Sequence, residues 1–345
     1  MWLTWRQAMQ AALYGPAGFY TRGEQPARHF RTSAHVSPRY AGALLTVLRA
    51  VDAALGHPAR LDVVDVGAGR GELLAALLTL AGTDPELAGT DSALAARLAP
   101  LAVEVAARPD RLDPRIGWQP ELPASITGLV IASEWLDNVP LEVAELTPAG
   151  PRLLLVETAT GAERPGAPPP AAELAWQRRW WPLREPGDRA EIGLTRCQAW
   201  AAAAGRISRG LAVAADYGHQ RADRPRAGTL SGYREGRPVR PVPDGSCDLT
   251  AGVALDACAD AGRAAGATAS LLTTQRQALR ALGMTGHRPP AGLAGSDPLG
   301  YARALCQAGE EAELTDPAGL GGFGWLVQAV GMPIPPPLAG LTGNR

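Results

Sequence analysis

The chain contains no lysine, so every one of its 33 basic Lys or Arg positions is an arginine. That excludes a lysine Schiff base or a lysine general base. Cysteine is scarce: Cys197, Cys247, Cys258 and Cys306 lie far apart with no C-x-x-C pair. Neither a zinc site nor a disulfide framework is suggested, and a reducing, cytoplasmic location is expected. His57, His219 and His287 show no ligand spacing either, so no metal is assigned. There is no run of about 18 apolar residues, and MWLTWRQAMQAAL at the start lacks a long apolar signal core, so neither a membrane span nor export is expected. Charge of neither sign dominates: the 33 basic residues meet 34 acidic ones. With a pI near 6.5 there is no basic footprint for nucleic acid.

What is present is a long α/β pattern. At 345 residues the chain can bury one large core and carry appendages, since single cores run to roughly 250–300 residues. Residues 1–58 read as a helical, substrate-side segment: an amphipathic run from Leu3 to Leu13, an irregular stretch holding Tyr14, Phe19, Tyr20 and Phe30, and a helix from Pro38 to Leu55. A core is expected over 59–140 and 190–330, with strands at Leu61, Leu101 to Val105, near Trp118, Thr127 to Trp135 and Gly210 to Gly218. Strands alternating with helices predict a parallel sheet with its ligands at the carboxyl ends of the strands. Residues 141–189 read as an insertion with a hairpin and a Trp-rich helix, 219–247 as a loop excursion over the site, and 331–345 as a flexible tail. Asp248 or Thr250 is expected to cap a helix running to about Ala265.

The densest signal is LDVVDVGAGRGELL, Leu61 to Leu74: an apolar strand, then Gly67, Gly69 and Gly71 at the hand-over to a helix. Alternate glycines there admit positive φ and close approach of a ligand to the backbone. A dinucleotide loop needs G-x-G-x-x-G, but Glu72 stands at its third glycine position. Asp65 and Glu72 would repel a diphosphate, whereas Asp65 suits a cationic amino-acid moiety. The pattern favours S-adenosyl-L-methionine over a dinucleotide.

Glu104, at the end of the second expected strand, is placed to accept ribose hydroxyls. Its distance in sequence from Gly71 calls for an extra loop in TLAGTDPELAGTDSAL. Glu134 and Asp137 follow the fourth strand three residues apart. Two acids there are costly to desolvate unless a cation arrives, which points to a guanidinium or ammonium acceptor. Asp216 and Tyr217 also end a strand, while His29 and His35 flank RTSA as ordinary surface or packing histidines.

The blocks LYGPAGFY, HFRTSAHVSP, VDVGAGRGELL, VEVAARPDRL, IASEWLDNVP, DYG, GTLSGY, CDLTAGVALDA and TTQRQALRALG, in that order, resemble the MidA-like methyltransferases. That family includes the mitochondrial complex I assembly factor that methylates an arginine. The resemblance implies a Rossmann-like class I methyltransferase core with a helical N-terminal segment and inserted elements. It implies S-adenosyl-L-methionine as cofactor, with Asp65, Gly67, Gly69 and Glu104 touching it, and places Glu134 and Asp137 in the family's N-E-x-x-D-x-x-P block. The implied reaction is direct in-line transfer to an arginine nitrogen of a protein. Two blocks depart from the family pattern: T-S-P-E-I-S is here Thr32 to Ser37 with Ala34 and His35, and the Asn before Glu134 is Ser133. A small-molecule acceptor, or a non-catalytic assembly protein that retains cofactor binding, are the alternatives.

Overall fold

The computed structural model describes residues 1–22, 32–83 and 92–341; His29, Phe30 and residues 84–91 of the extra loop expected before Glu104 lie outside them. The chain forms two compact units, each assembled from discontinuous segments.

One unit comprises Thr32–Ser133, Ala204–Ala215 and Gly266–Arg345. It is built on a seven-stranded sheet of β1 (Leu61–Val66), β2 (Leu98–Val103), β3 (Gly117–Gln119), β4 (Ile126–Ser133), β5 (Ile207–Asp216), β6 (Ala269–Thr274) and β7 (Gly324–Val330) in the order β6-β7-β5-β4-β1-β2-β3. The pairs β1/β2, β1/β4, β2/β3 and β4/β5 are parallel, and β6/β7 is antiparallel. Continuous apolar sequence in β1, β4 and β5 matches strands buried on both faces. Strand order reverses between β1 and β4, where a parallel sheet opens a crevice at its carboxyl edge. The helix Pro38–Leu55 starts at Ser37, whose side chain accepts the Arg39 N–H, and ends at Gly56 in left-handed geometry. Its Tyr40, Leu44, Leu48, Val51 and Leu55 recur at helical spacing and join Leu74 and Leu77 in the core. The segment expected to fray instead sends Met332 and Leu338 into this core, because prolines stiffen the chain while its apolar side chains gain by burial.

The other unit comprises Met1–Arg31, Glu134–Ala203 and Asp216–Ala265. The hairpin Glu142–Thr147 and Gly150–Glu157 forms as expected, and the N-terminal strand Trp2–Thr4 joins it antiparallel. Thr4 and Gln7 make a reciprocal capping box for the helix Trp5–Tyr14. Trp5, Met9, Leu13 and Phe19 pack with Val143, Val156 and Leu249. Asp248 and Thr250 do not cap the following helix: Asp248–Thr250 is a strand, and Leu255–Ala264 begins at Ala254 without a side-chain cap. Their side chains are taken by tertiary bonds described below.

Candidate active site

The glycine turn connects β1 to the helix Glu72–Thr83. Gly67, Gly69 and Gly71 have φ of 72°, 58° and 80°, a region closed to most side chains. A Cβ on Gly71 would strike Leu112 at 2.8 Å, whereas one on Gly69 would meet only the Glu72 carboxylate at 3.8 Å. The tip of Leu112 can turn aside, so the positive φ is what holds position 71 to glycine, and Gly69 leaves open space. Glu104 follows β2, which ends two residues earlier than expected, and clamps the turn. Its Oε2 accepts the Gly69 N–H at 3.0 Å and its Oε1 the Ala106 N–H at 3.0 Å. Asp65 lies in register with Ala102 on one side and Ile131 on the other, and only 3% of it is exposed. Burial, then the fields of Glu104 and Glu72, push its carboxyl up to about 8. Among the described residues no cation pairs with it.

The second constellation lies in the other unit. After β4 the chain reaches Glu134, whose φ of 53° is rare for a residue with a side chain. A short 3-10 turn, Leu136–Asn138, follows. Asp216 Oδ2 accepts the N–H groups of both Leu136 and Asp137, at 2.9 and 3.1 Å. Asp137 Oδ2 accepts the Thr250 hydroxyl at 2.6 Å, and Tyr217 meets that hydroxyl at 3.0 Å. Asp248 takes bonds from Tyr20 and from the Asn138 amide. Arg196, 1% exposed, spends its guanidinium on backbone carbonyls of Val139, Ala251, Gly252 and Asp137. It ties the turn to 251–252.

The carboxylates outnumber this cation. Burial raises Asp137 despite the Thr250 bond and Arg196, and it raises Asp216 further with the help of Asp137 and Glu134. Asp248 is pushed up to about 7, mainly by burial and then by Asp137. Asp137 Oδ1 and Asp216 Oδ1 are buried without a hydrogen-bond partner. Such atoms favour a proton or an incoming cation. Among the described residues no group of His, Cys, Asp and Glu has metal-holding geometry.

The family model for S-adenosyl-L-methionine-dependent methyltransferases matches residues 43–273. A Burkholderia thailandensis protein solved bound to S-adenosyl-homocysteine is 25% identical with a TM-score of 0.76, over 96% of this chain and 89% of its own. The chain belongs to the MidA-like methyltransferases. A second Burkholderia thailandensis structure of the same superfamily, 24% identical and also at TM-score 0.76, covers 96% of this chain and 88% of its own and has the same fold. No curated protein matches the chain.

A MidA-like enzyme takes its methyl group from S-adenosyl-L-methionine, and the turn suits that donor. An unpaired buried acid at the end of β1 offers a counter-charge to an ammonium group, and the space over Gly69 admits a ligand against the backbone. Asp65, Gly67, Gly69, Gly71 and Glu104 are brought together in one unit; Glu134 and Asp137 are brought together in the other. Sequence reasoning missed Arg196, which sits in a helix with no local motif, and the bonds of Asp216, Thr250 and Asp248 to the 136–138 turn. Only DYG at a strand end and the clustering of acids near strand ends hinted at them.

Proposed function

We propose that this methyltransferase acts on an arginine nitrogen of a protein substrate, in the cytoplasm, on a Rossmann-like class I core. The reversal of strand order between β1 and β4 supports the core assignment. The observation that carries the acceptor reading is the excess of buried carboxyls over cations around Asp137, with Asp137 Oδ1 left without a partner. A guanidinium supplies the missing charge and several donors in one plane. Glu134 and Asp137 orient it and hold its attacking nitrogen in place, and positioning of this kind can supply up to about 7–11 kcal/mol. Asp65 receives the donor's amino group, Gly67, Gly69 and Gly71 let its methionine portion approach, and Glu104 takes the ribose hydroxyls. When bound, the donor supplies a methyl group activated on a sulfonium. Four cysteines without disulfides, Cys306 exposed, suit a reducing compartment. Incubation with isotopically labelled S-adenosyl-L-methionine and a lysate of the host, followed by mass spectrometry, is expected to place label on an arginine side chain. Label confined to small metabolites, or to no acceptor, would refute the arginine assignment.

A further inference from the structure

Glu72 and His35 belong to none of the roles assigned above. Glu72 opens its helix, and its Oε2 accepts the Arg70 N–H at 3.0 Å. A helix N-terminus attracts anions, and here the chain's own carboxylate occupies it, lying over the glycine turn 3.8 Å from the point a Gly69 Cβ would reach. The other oxygen is 3.4 Å from His35 Nε2, and His35 Nδ1 lies 2.6 Å from the Thr32 hydroxyl. Both side chains are about one-third exposed, so the pair exchanges protons with solvent. Burial alone would raise the Glu72 carboxyl, but the bond to His35 and backbone N–H groups leave it lowered and ionised. Glu72 also contributes to the field that raises Asp65.

We propose that Glu72 is a further cofactor-binding residue that reads the sulfonium charge, and that His35 sets how much of its negative charge the cofactor meets. This rests on the placement of the donor at the glycine turn. S-adenosyl-L-methionine and S-adenosyl-homocysteine share the adenosine and the amino acid and differ by one methyl group and one positive charge. With His35 protonated, Glu72 is paired and discriminates weakly. With His35 neutral, the bare carboxylate favours the sulfonium over the neutral thioether, so donor outcompetes product. Asp65 also titrates, at about 8, and its charge reaches the sulfonium as well, so its share of the pH dependence persists in variants of His35 and of Glu72, and the difference between wild type and variants isolates the His35–Glu72 pair. Thr32 and Glu72 are among the groups that face the His35 ring; the Arg70 N–H is bonded to Glu72, and Glu72 and Glu104 both act on Asp65. The helix Pro298–Leu314 packs on the segment Ser33–Val36, where Glu310 is bonded to Ser37 and Glu311 to Arg39.

Calorimetric titration of the full chain with each ligand, at about pH 5.5 to 8, tests this in the wild type, His35→Gln and Glu72→Gln. In the wild type the ratio Kd(S-adenosyl-homocysteine)/Kd(S-adenosyl-L-methionine) should rise about fivefold with pH, the low end of ordinary coupling between two sites. It should be high with a smaller pH dependence in His35→Gln, and low with a smaller pH dependence in Glu72→Gln. Circular dichroism confirms folding, and if Glu72→Gln does not fold, His35→Gln decides alone. A pH-independent ratio in the wild type, or the full wild-type pH dependence in either folded variant, overturns the proposal. A wild-type chain that binds neither ligand overturns the placement of the donor itself.

Discussion

At Asp65, burial and two neighbouring carboxylates act in the same direction, and the consequence for stability has a definite sign. Its native carboxyl titrates near 8, against about 3.9 for an unfolded Asp. Between those values the native state holds a proton that the unfolded state has lost, so this group's contribution to stability falls as pH rises through the window. Asp65→Asn should therefore flatten the decline of thermal midpoint between about pH 4 and 8 while weakening donor binding, as melting curves and calorimetry would register. A variant with the wild-type pH profile would show that Asp65 does not hold that proton. Gly69 makes a second residue-scale test. Because its Cβ position is open, Gly69→Val should fold at a backbone cost of about 1–2 kcal/mol, yet lose donor affinity at least about tenfold by filling the approach path. Unchanged affinity would place the ligand elsewhere.

Among elements, the 136–138 turn depends on groups distant in sequence. Asp216 satisfies two of its N–H groups from the end of β5, and Arg196 collects its carbonyls from the helix Leu194–Ala204. Asp216→Ala leaves two buried donors unpaired and should cost about 2–4 kcal/mol in denaturant unfolding. Asp216→Asn keeps an amide oxygen as acceptor and should recover most of that loss. Equal losses in the two variants would mean that charge, not the acceptor, holds the turn. The strands were legible because β1, β4 and β5 are apolar runs and the hairpin alternates. The strand Asp248–Thr250 was not: DLT reads locally as a cap, and only Tyr20, Asn138 and Asp137, brought up from elsewhere, recruit its side chains.

For the molecule as a whole, the residues proposed to bind the donor and those proposed to orient the acceptor fall into different units, so on this proposal the two functions should separate by mutation. Glu134→Gln and Asp137→Asn are expected to leave donor affinity near the wild-type value while lowering turnover at least about tenfold, since each removes charge that matters most when the acceptor is aligned. Folding, donor binding and methyl transfer should be measured on the same samples. Wild-type turnover in both variants would favour a neutral small-molecule acceptor.

The sequence by itself determined the α/β class, the glycine turn with Asp65, and the preference for S-adenosyl-L-methionine over a dinucleotide, because these follow from local periodicity, backbone freedom and the charge of adjacent residues. It placed Glu104 at the end of its strand but not its bonds to the Gly69 and Ala106 N–H groups. Only the tertiary structure decided that Arg196, Asp216 and Thr250 hold the 136–138 turn, that His35 pairs with Glu72, and that Met332 and Leu338 are buried in the core. Each of these is a contact between residues far apart in the chain, and its physical cause, desolvation of charge or loss of apolar surface to water, exists only once folding has brought the partners together.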